Sequence, residues 1–179
     1  MTAFSHPFGS YNVEGSLNDW IRVNLTAWGL PTWMPSAKLV FDWPEDKLIN
    51  GYSGHAFTVA HLGAPEPMER YQGRGVDINS AGQKMMNIVE VDCWVSKQAA
   101  GGAAQGRLRQ VGDMVEKLFS SGREVQIKNL YTGTASATGL NALIRLSPAV
   151  GQHVSNPDPN NPDLYRRRYL VTYWWIERV

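Results

Sequence analysis

The sequence predicts an α+β domain whose mainly antiparallel sheet carries two α-helices packed on one face. Two observations support this class directly. Residues Met85 to Val95 alternate between apolar and polar side chains, which is typical of a strand with one buried face. Residues Ala103 to Ser120 repeat apolar side chains every three or four positions, which is typical of an amphipathic helix. Further strand patterns lie before and after this pair, and that order favours a layered α+β arrangement.

The composition fits a single globular domain over residues 1–179. The chain is 43% apolar and 18% charged, which is enough apolar material to bury a core. Its formal net charge of +1 gives no general attraction to nucleic acid or to an anionic membrane. Neither a membrane-length apolar run nor a leader pattern is present, so we expect no membrane association and place the chain in the cytoplasm at synthesis.

The alternation in the central strand predicts one apolar face and one charged face. Its odd positions from Val89 to Val95 are apolar, whereas Glu90 and Asp92 alternate with them on an outer face that meets solvent or a partner. Cys93 is the only cysteine, and it falls on the apolar face. We therefore expect a buried structural thiol rather than a disulfide or a multi-cysteine metal site.

A second helix is predicted near the N-terminus. Ser16 is placed as its N-cap with Asp19 at the third helical position, and Gly29 and Pro31 end it. The helix after the central strand is expected to stop at Gly122, because glycine tolerates a positive φ. The predicted buried stripe of the first helix consists of Leu17, Ile21, Leu25 and Trp28.

The remaining strands are short, except for a closing strand that is rich in β-branched and aromatic residues and predicted to be covered on both faces. They are separated by glycine, proline and asparagine, which mark turns. The predicted strands are Ala37–Asp42, His55–Leu62, Arg123–Leu130, Ala142–Leu146 and Arg166–Ile176.

Two long loops are predicted between strands. The segment from Gly63 to Lys84 is rich in glycine, proline and charge and shows no periodicity. The segment from Ser147 to Asp163 contains three prolines after Asn156, which remove backbone donors and fix φ. We expect the first loop to become ordered only against a neighbouring subunit, because its few large apolar residues are too scattered to hold a fold.

Paired carboxylates are the strongest chemical feature of the chain. Glu90 and Asp92 share one face of a strand about 6.6 Å apart, within the range of glycosidase carboxylate pairs. Arg166 and Arg168 have the same spacing on the closing strand. A charge match across strands or across subunits is therefore the simpler use of all four residues. A hydrolase using Glu90 and Asp92 is the remote alternative, and we expect no enzyme.

Other chemistry is weakly supported. His55 and His61 lie about 20 Å apart along one strand, so they cannot share a metal ion. Gly73 and Gly75 lack the strand, helix and third glycine of a phosphate-binding loop. We expect neither a metal nor a cofactor. A nucleic-acid-binding module would need the arginines of the Gly63–Lys84 loop and of the closing strand on one surface.

The chain resembles the tail terminator (tail completion) proteins of long-tailed bacteriophages. The resemblance lies in the strand Ile88–Val95, the helix Leu108–Leu118 and the closing strand Tyr169–Ile176. It implies an α+β subunit that forms a hexameric ring on the head-proximal end of the tail tube. Such a ring stops tube growth and presents a surface for head joining, without catalysis or cofactor.

The resemblance also implies partners and a location. The partners are further copies of the chain, a tail tube protein and a head-tail connector protein, with double-stranded DNA only as cargo in the ring lumen. The location is the virion, with assembly in the host cytoplasm. A head-tail connector or a tail tube subunit shares the same pattern and is the nearest alternative. The candidate contact residues between subunits or with the tube are Arg70, Arg74, Glu90, Asp92, Arg166 and Arg168.

Overall fold

The computed structural model describes residues 10–27, 38–41, 55–71, 82–97, 103–120, 122–130, 143–152 and 163–178. Two helices and seven strands make up this part of the chain. In chain order they are α1 (Ser10–Ala27), β1 (Lys38–Phe41), β2 (His55–Tyr71), β3 (Gly82–Ser96), α2 (Ala104–Leu118), β4 (Glu124–Gln126), β5 (Leu143–Leu146), β6 (Val150–Gln152) and β7 (Leu164–Arg178).

The described strands form one seven-stranded sheet in the order β1-β2-β3-β7-β5-β4, with β6 also paired to β7. The pairing of β1 with β2 is parallel, and every other described pairing is antiparallel. The α+β class and the mainly antiparallel sheet are therefore confirmed. Neither described helix is long and apolar enough to cross a membrane.

The strand predicted from Met85 to Val95 lies at the centre of this sheet. β3 pairs with β2 on one side and with β7 along its whole length on the other. Directly opposite residues of antiparallel strands share a face, so the register divides the side chains of the three strands into two sets. We call the side with the odd positions of β3 the core face and the side with Glu90, Asp92 and Trp94 the charged face.

The core face packs into one hydrophobic cluster with side chains from both helices. The alternation and the helical stripes predicted this cluster, because apolar positions at periods of 2 and 3.6 are those that burial favours. Cys93 is fully buried there as a free thiol, as predicted. The fully buried members of β3 and α2 are Val89, Val91, Cys93, Val95, Val111 and Val115.

α2 approaches β7 closely because Gly112 has no side chain. A methyl group at Gly112 would overlap the Tyr169 hydroxyl and would lie 2.9 Å from Arg167 Nη1. Glu116 of α2 also binds β7. Its Oε1 accepts hydrogen bonds from the Tyr169 hydroxyl at 2.9 Å and from Arg167 Nη2 at 3.0 Å. Burial raises the pKa of the Tyr169 phenol, so this hydroxyl remains a donor.

α1 is joined to the sheet edge by its polar side chains. Asn12 Oδ1 accepts the backbone N–H of Leu130 at 2.9 Å, and Ser16 Oγ accepts that of Lys128 at 2.8 Å. The Lys128 ammonium also pairs with Asp19. The hydrogen bond from Lys128 holds the pKa of the Asp19 carboxyl below its usual value, and Arg22 adds to this effect. Backbone donors next to β4 are thus satisfied by a helix.

The prediction that Ser16 caps the first helix is wrong. α1 already begins at Ser10, and Val13 extends the buried stripe one turn upstream of Leu17. The Ser16 hydroxyl instead accepts the backbone N–H of Lys128. A local capping pattern cannot reveal such a distant partner. Trp28, the last residue of the predicted stripe, lies outside the described residues.

The prediction of an irregular segment from Gly63 to Lys84 is wrong at both ends of that segment. β2 continues to Tyr71 and β3 begins at Gly82, so both ends belong to paired strands. Residues 72–81 lie outside the described part of the chain. The expected ordering of this loop against a neighbouring subunit stays a prediction.

The long β2 strand bends at two points. Its register with β3 shifts between Leu62 and Glu66 and again between Pro67 and Glu69. Gly63 lies in the first shift with a φ of 76°. Glycine and proline within a strand commonly mark bulges and edge positions. The residues that indicated a loop are therefore those that allow a long strand to bend.

The prediction of a second loop from Ser147 to Asp163 is wrong for the first part of that segment. Val150–Gln152 forms β6 against β7, while residues 153–162 lie outside the described residues. The predictions of three short strands are confirmed, because β1, β4 and β5 fall inside their predicted ranges. Gly122 has the expected positive φ, at 78°, after the end of α2.

Candidate functional site

The charged face is buried over the middle of β3, contrary to the expectation that Glu90 and Asp92 face solvent or a partner. Glu90 is 6% exposed and Asp92 is 1% exposed. Alternation in the sequence predicted only that the two carboxylates share a face, and it could not reveal that this face is also covered. Carboxylates this deep need hydrogen-bond donors, because an unpaired buried charge is costly.

Arg166 supplies most of these donors from the neighbouring strand β7. Its Nε donates to Asp92 Oδ2 at 2.9 Å, and its Nη2 donates to the same oxygen and to Glu90 Oε1, the latter at 2.9 Å. The guanidinium thus bridges two carboxylates that are two residues apart on β3. A planar fork of donors matches this geometry, whereas a lysine ammonium would not.

Arg168 approaches the same carboxylates from a position nearer to solvent. Its Nε lies 3.2 Å from Glu90 Oε2 and 3.6 Å from Asp92 Oδ1. These are ion-pair contacts, and Asp92 Oδ1 is buried without a hydrogen bond among the described residues. We refer to Glu90, Asp92, Arg166 and Arg168 as the charge cluster. The predicted charge match across strands therefore exists inside one subunit.

Trp94 and Thr58 lie beside the cluster. The Arg166 guanidinium lies 4.8 Å from the centre of the Trp94 ring, and Trp94 Nε1 donates to Thr58 Oγ1 at 2.9 Å. Trp94 and Leu164 form a small hydrophobic cluster of their own on this face. Trp94 and Leu164 thus lie on the same face as this largely buried polar centre, and burial lowers the local dielectric constant and strengthens each ion pair.

Burial dominates the electrostatics of the cluster. It raises the pKa of the Asp92 carboxyl to about 7, against the opposing effect of the Arg166 guanidinium, and the Glu90 charge raises it further. On the other face of β3, burial raises the pKa of the Cys93 thiol well above its usual value. A thiol in that state is a poor nucleophile.

The arrangement favours ion pairing over acid–base catalysis. Both carboxylates are buried and are engaged by one arginine, whereas glycosidase carboxylates face a substrate cleft. Among the described residues, no group of three His, Cys, Asp or Glu side chains could hold a metal ion. The described part of the site thus offers no set of ligands for a metal.

The other two predicted contact residues are Arg70 and Arg74. The backbone of Arg70 pairs with Gln83 at the far end of β2, but its side chain lies outside the described residues, as does all of Arg74. Four of the six candidates are therefore brought together, and the other two are not placed beside them. Their role in contacts between subunits stays a prediction.

A second feature of the charged face is an exposed apolar patch, which the sequence reasoning missed. Leu62, Val150 and Ile176 are 42%, 64% and 40% exposed, and their register positions place them on this face. They belong to three different strands, so only the sheet pairing brings them together. We define the apolar patch as these three side chains with the half-buried Met86, Ile88, Leu170 and Trp174 that lie among them.

Two cations flank the indole ring within this patch. Lys84 Nζ lies 4.5 Å and Arg145 Cζ lies 4.8 Å from the Trp174 ring centre. Arg145 also pairs with Glu124 at 3.0 Å on the exposed side of β5. The patch therefore combines apolar surface with a positively charged rim.

A polar network between α1 and the sheet was also missed. His61 Nδ1 accepts the Tyr173 hydroxyl at 2.9 Å, and in this tautomer Nε2–H donates to Asn18 Oδ1 at 2.9 Å. Burial raises the pKa of Tyr173, which keeps its hydroxyl a donor. His61 is thus occupied by two partners of the fold, while the side chain of His55 lies outside the described residues.

Comparison with known proteins identifies no family. No protein-family model matches the chain, and no curated protein matches it. Among solved structures, the chain is similar to a protein in the virion of a native gene transfer agent particle. The identity is 16% and the TM-score is 0.44, and the alignment covers 94% of this chain and 99% of that one.

Proposed function

We propose that this protein is a structural subunit of a phage-like particle, and specifically a tail terminator. In this role, copies of the chain form a hexameric ring on the head-proximal end of the tail tube, stop its growth and provide the surface for head joining. The sequence resemblance motivates the specific role. Under this proposal the partners are the tail tube protein and the head-tail connector protein, and the location is the virion.

The apolar patch is the observation that carries an assembly role. Exposed apolar side chains from three strands fall on one sheet face with half-buried apolar residues among them, and exposed apolar surface of this kind favours a contact with a partner. The part of the face that the patch spans is about 14 Å across the strands by about 20 Å along them, or roughly 300 Å², and it also includes the polar Thr172 and Lys84. A stable contact buries roughly 800 Å² on each partner. The patch would therefore form the apolar centre of a larger contact.

The charge cluster narrows the set of proposed contact residues. Because Arg166 is buried and joins Glu90 to Asp92 within one subunit, these three side chains favour an internal role over a direct contact. Arg168 is 27% exposed and is the member that a neighbour could reach. We retain Arg70, Arg74 and Arg168 as proposed contact residues, while Glu90, Asp92 and Arg166 hold β3 and β7 in register.

Mass photometry of the purified chain, alone and mixed with tail tubes, tests the proposal. We expect a discrete ring, either free or on tube ends. The variant Val150→Glu should reduce the ring population at least tenfold at a given concentration, because burying an uncompensated carboxylate in an apolar contact costs a few kcal/mol. A chain that stays monomeric in both settings would contradict the assembly role.

Val23→Glu is the matched control for this experiment. Val23 is 50% exposed on α1, so the same substitution there changes charge and polarity without touching the patch. Its ring population should equal that of the unmodified chain. Equal losses in both variants would show that added negative charge, rather than the patch, controls assembly.

The head-tail connector and the tail tube subunit are the alternatives within the same class. Cryo-electron microscopy of the source particle separates the three by position, since a terminator occupies a single layer at the top of the tube. The hydrolase alternative predicts turnover that Glu90→Gln abolishes while the fold is retained. The pairing of Glu90 with Arg166 disfavours that alternative.

A further inference from the structure

We propose that an extended segment of another protein adds to the sheet along the outer edge of β4 and inserts one aliphatic side chain into a groove between β4 and α1. This contact is separate from the apolar patch and does not depend on ring formation. It rests on the direction of the β4 backbone groups, on the lining of the groove and on the charge of Glu124.

β4 is the last strand of the described sheet, and it pairs with β5 on one edge only. The carbonyl of Arg123 accepts the N–H of Leu146, so backbone groups at odd positions along this stretch point toward β5. The N–H and C=O groups of Glu124 and Gln126 therefore point away from β5. No hydrogen-bond partner of these outward groups lies among the described residues. An open edge of this kind is a template for a further strand.

α1 takes the place of a further strand just beyond this open edge. The next two outward N–H groups, those of Lys128 and Leu130, donate to Ser16 Oγ and to Asn12 Oδ1. The cover that α1 provides by these bonds ends before Gln126. The open edge therefore comprises the three residues of β4 itself.

A groove of about 170 Å³ lies between α1 and this edge. Its apolar walls are the side chains of Trp20, Val23 and Val125. Val23 is 50% exposed, whereas Val125 is buried. A cavity of about 150 Å³ holds a benzene molecule, so the groove is large enough for one branched aliphatic side chain.

The polar groups that line the groove are paired with each other. The Lys128 ammonium pairs with Asp19, and the Ser16 hydroxyl accepts the Lys128 N–H. Asn24 Nδ2 donates to the Trp20 carbonyl at 2.8 Å. Because these groups already have partners, an apolar side chain suits the groove better than a polar one.

The register of an added strand determines which of its side chains enters the groove. The residue opposite Val125 points to the core face, where the groove lies, and its two neighbours point to the charged face opposite Glu124 and Gln126. The Glu124 side chain is 46% exposed, so a cation opposite it forms a cross-strand ion pair. The partner segment therefore has an aliphatic residue next to a basic one.

The edges of this chain itself are poorly suited to supply such a segment. If two copies paired their open edges, Val125 would lie opposite Val125, and this side chain is 3% exposed in its own core. It is therefore not available to the groove of a partner. The long edge of β2 contains Pro65 and Pro67, which lack the N–H groups of a ladder. These two edges disfavour a second copy, and we assign the segment to another protein.

Saturation-transfer NMR with a synthetic peptide tests this contact at any size of assembly. The probe is acetylated and amidated Ser-Ser-Thr-Ile-Lys-Ser-Ser, which in antiparallel pairing places Thr, Ile and Lys opposite Gln126, Val125 and Glu124. We expect the strongest transfer to the Ile methyl groups. N-methylation of Thr removes the donor to Gln126 and should weaken binding about fivefold or more. N-methylation of Ile, whose N–H points away from β4, should change it by less than about twofold.

Two variants of the chain test the groove and the edge separately. Val23→Glu places a carboxylate in the groove wall and should weaken binding of the probe at least about tenfold. Gln126→Pro removes an outward N–H at an edge position, where proline is tolerated, and should weaken binding about fivefold or more.

Val150→Glu is the matched control, because Val150 is 64% exposed in the apolar patch and lies outside the groove. It should bind the probe as the unmodified chain does. The same variant is the one expected to disrupt the ring, whereas Val23→Glu is expected to preserve it. Failure of the proposed ring and failure of this contact are therefore distinguishable.

Three results would overturn the proposal. The first is no transfer to the Ile methyl groups, and the second is equal binding of the two N-methylated probes. The third is unchanged binding by Val23→Glu with its fold verified by circular dichroism. Self-association of the unmodified chain that both Val23→Glu and Gln126→Pro abolish would place a second copy on this edge, which would overturn the assignment to another protein.

Discussion

The two faces of β3 are both buried, but different interactions bury them. On the core face, Val89 and Val91 pack against helices in a hydrophobic cluster. On the charged face, the buried Glu90 and Asp92 both accept hydrogen bonds from Arg166. Apolar burial tolerates small changes of shape, whereas a buried ion pair requires its partner. Adjacent residues of one strand therefore differ in how replaceable they are.

The two faces of β3 also differ in whether they contribute to the stability of the subunit alone or also to its proposed assembly. On the core face, side chains of both helices join those of the sheet in one hydrophobic cluster. The charged face carries the largely buried charge cluster and, next to it, the partly exposed apolar patch, with Leu170 of the patch directly opposite Glu90 of the cluster. Under the proposed function, the buried cluster holds the subunit in shape while the exposed patch is available to a neighbour.

The largest expected effect is that of Arg166→Ala. The substitution leaves two buried carboxyl groups without their common donor, and breaking a buried pair in this way costs about 3–5 kcal/mol. We expect it to exceed Val91→Ala on the core face, at about 2 kcal/mol for a partial loss of apolar burial. Urea denaturation of the two variants measures both. A smaller loss for Arg166→Ala than for Val91→Ala would remove the distinction between the faces.

An intermediate effect is expected for Gly112→Ala in α2. Alanine normally favours a helix over glycine, but here the methyl group meets the Tyr169 hydroxyl and the Arg167 guanidinium. We expect a loss of about 1–3 kcal/mol from overpacking. Gly106→Ala in the same helix has open space around it and should gain up to about 1 kcal/mol. Gains in both variants would show that the helix and β7 can separate freely.

The smallest effect is expected for Glu124→Gln. This residue pairs with Arg145 at 3.0 Å, a distance similar to those in the cluster, but both side chains are about half exposed. Solvent screening limits such pairs to about 0–1 kcal/mol. Thermal denaturation at low and high salt should therefore differ little between this variant and the unmodified chain. A loss as large as that of Arg166→Ala would mean that burial does not set the strength of these pairs.

The sequence predicted the parts of the fold that depend on local periodicity. The alternation through β3 and the stripe from Leu108 to Leu118 located the central strand and α2 within a few residues. The start of α1 and the length of β2 were missed, because each depends on a distant partner. The Ser16 hydroxyl accepts the backbone N–H of Lys128 rather than one of its own helix. Pairing with β3 extends β2 beyond Gly63.

The charge match between β3 and β7 was predicted, but its burial was not. The equal spacing of Glu90/Asp92 and Arg166/Arg168 indicated a charge match across strands, and these four side chains do meet. Their burial depends on what covers the second face of the sheet, which alternation does not reveal. Gly112 did carry a signal, since glycine in a buried helical stripe indicates close approach to another element.

A double-mutant cycle between Arg166 and Asp92 tests most directly whether the charged face is held by an internal charge cluster. Urea denaturation of Arg166→Ala, Asp92→Ala and the double variant gives the coupling free energy. We predict about 2 kcal/mol or more, near the upper range for residues in contact, and less than about 1 kcal/mol for the same cycle on the exposed Arg145 and Glu124. Additive effects at Arg166 and Asp92, within about 0.5 kcal/mol, would contradict the account.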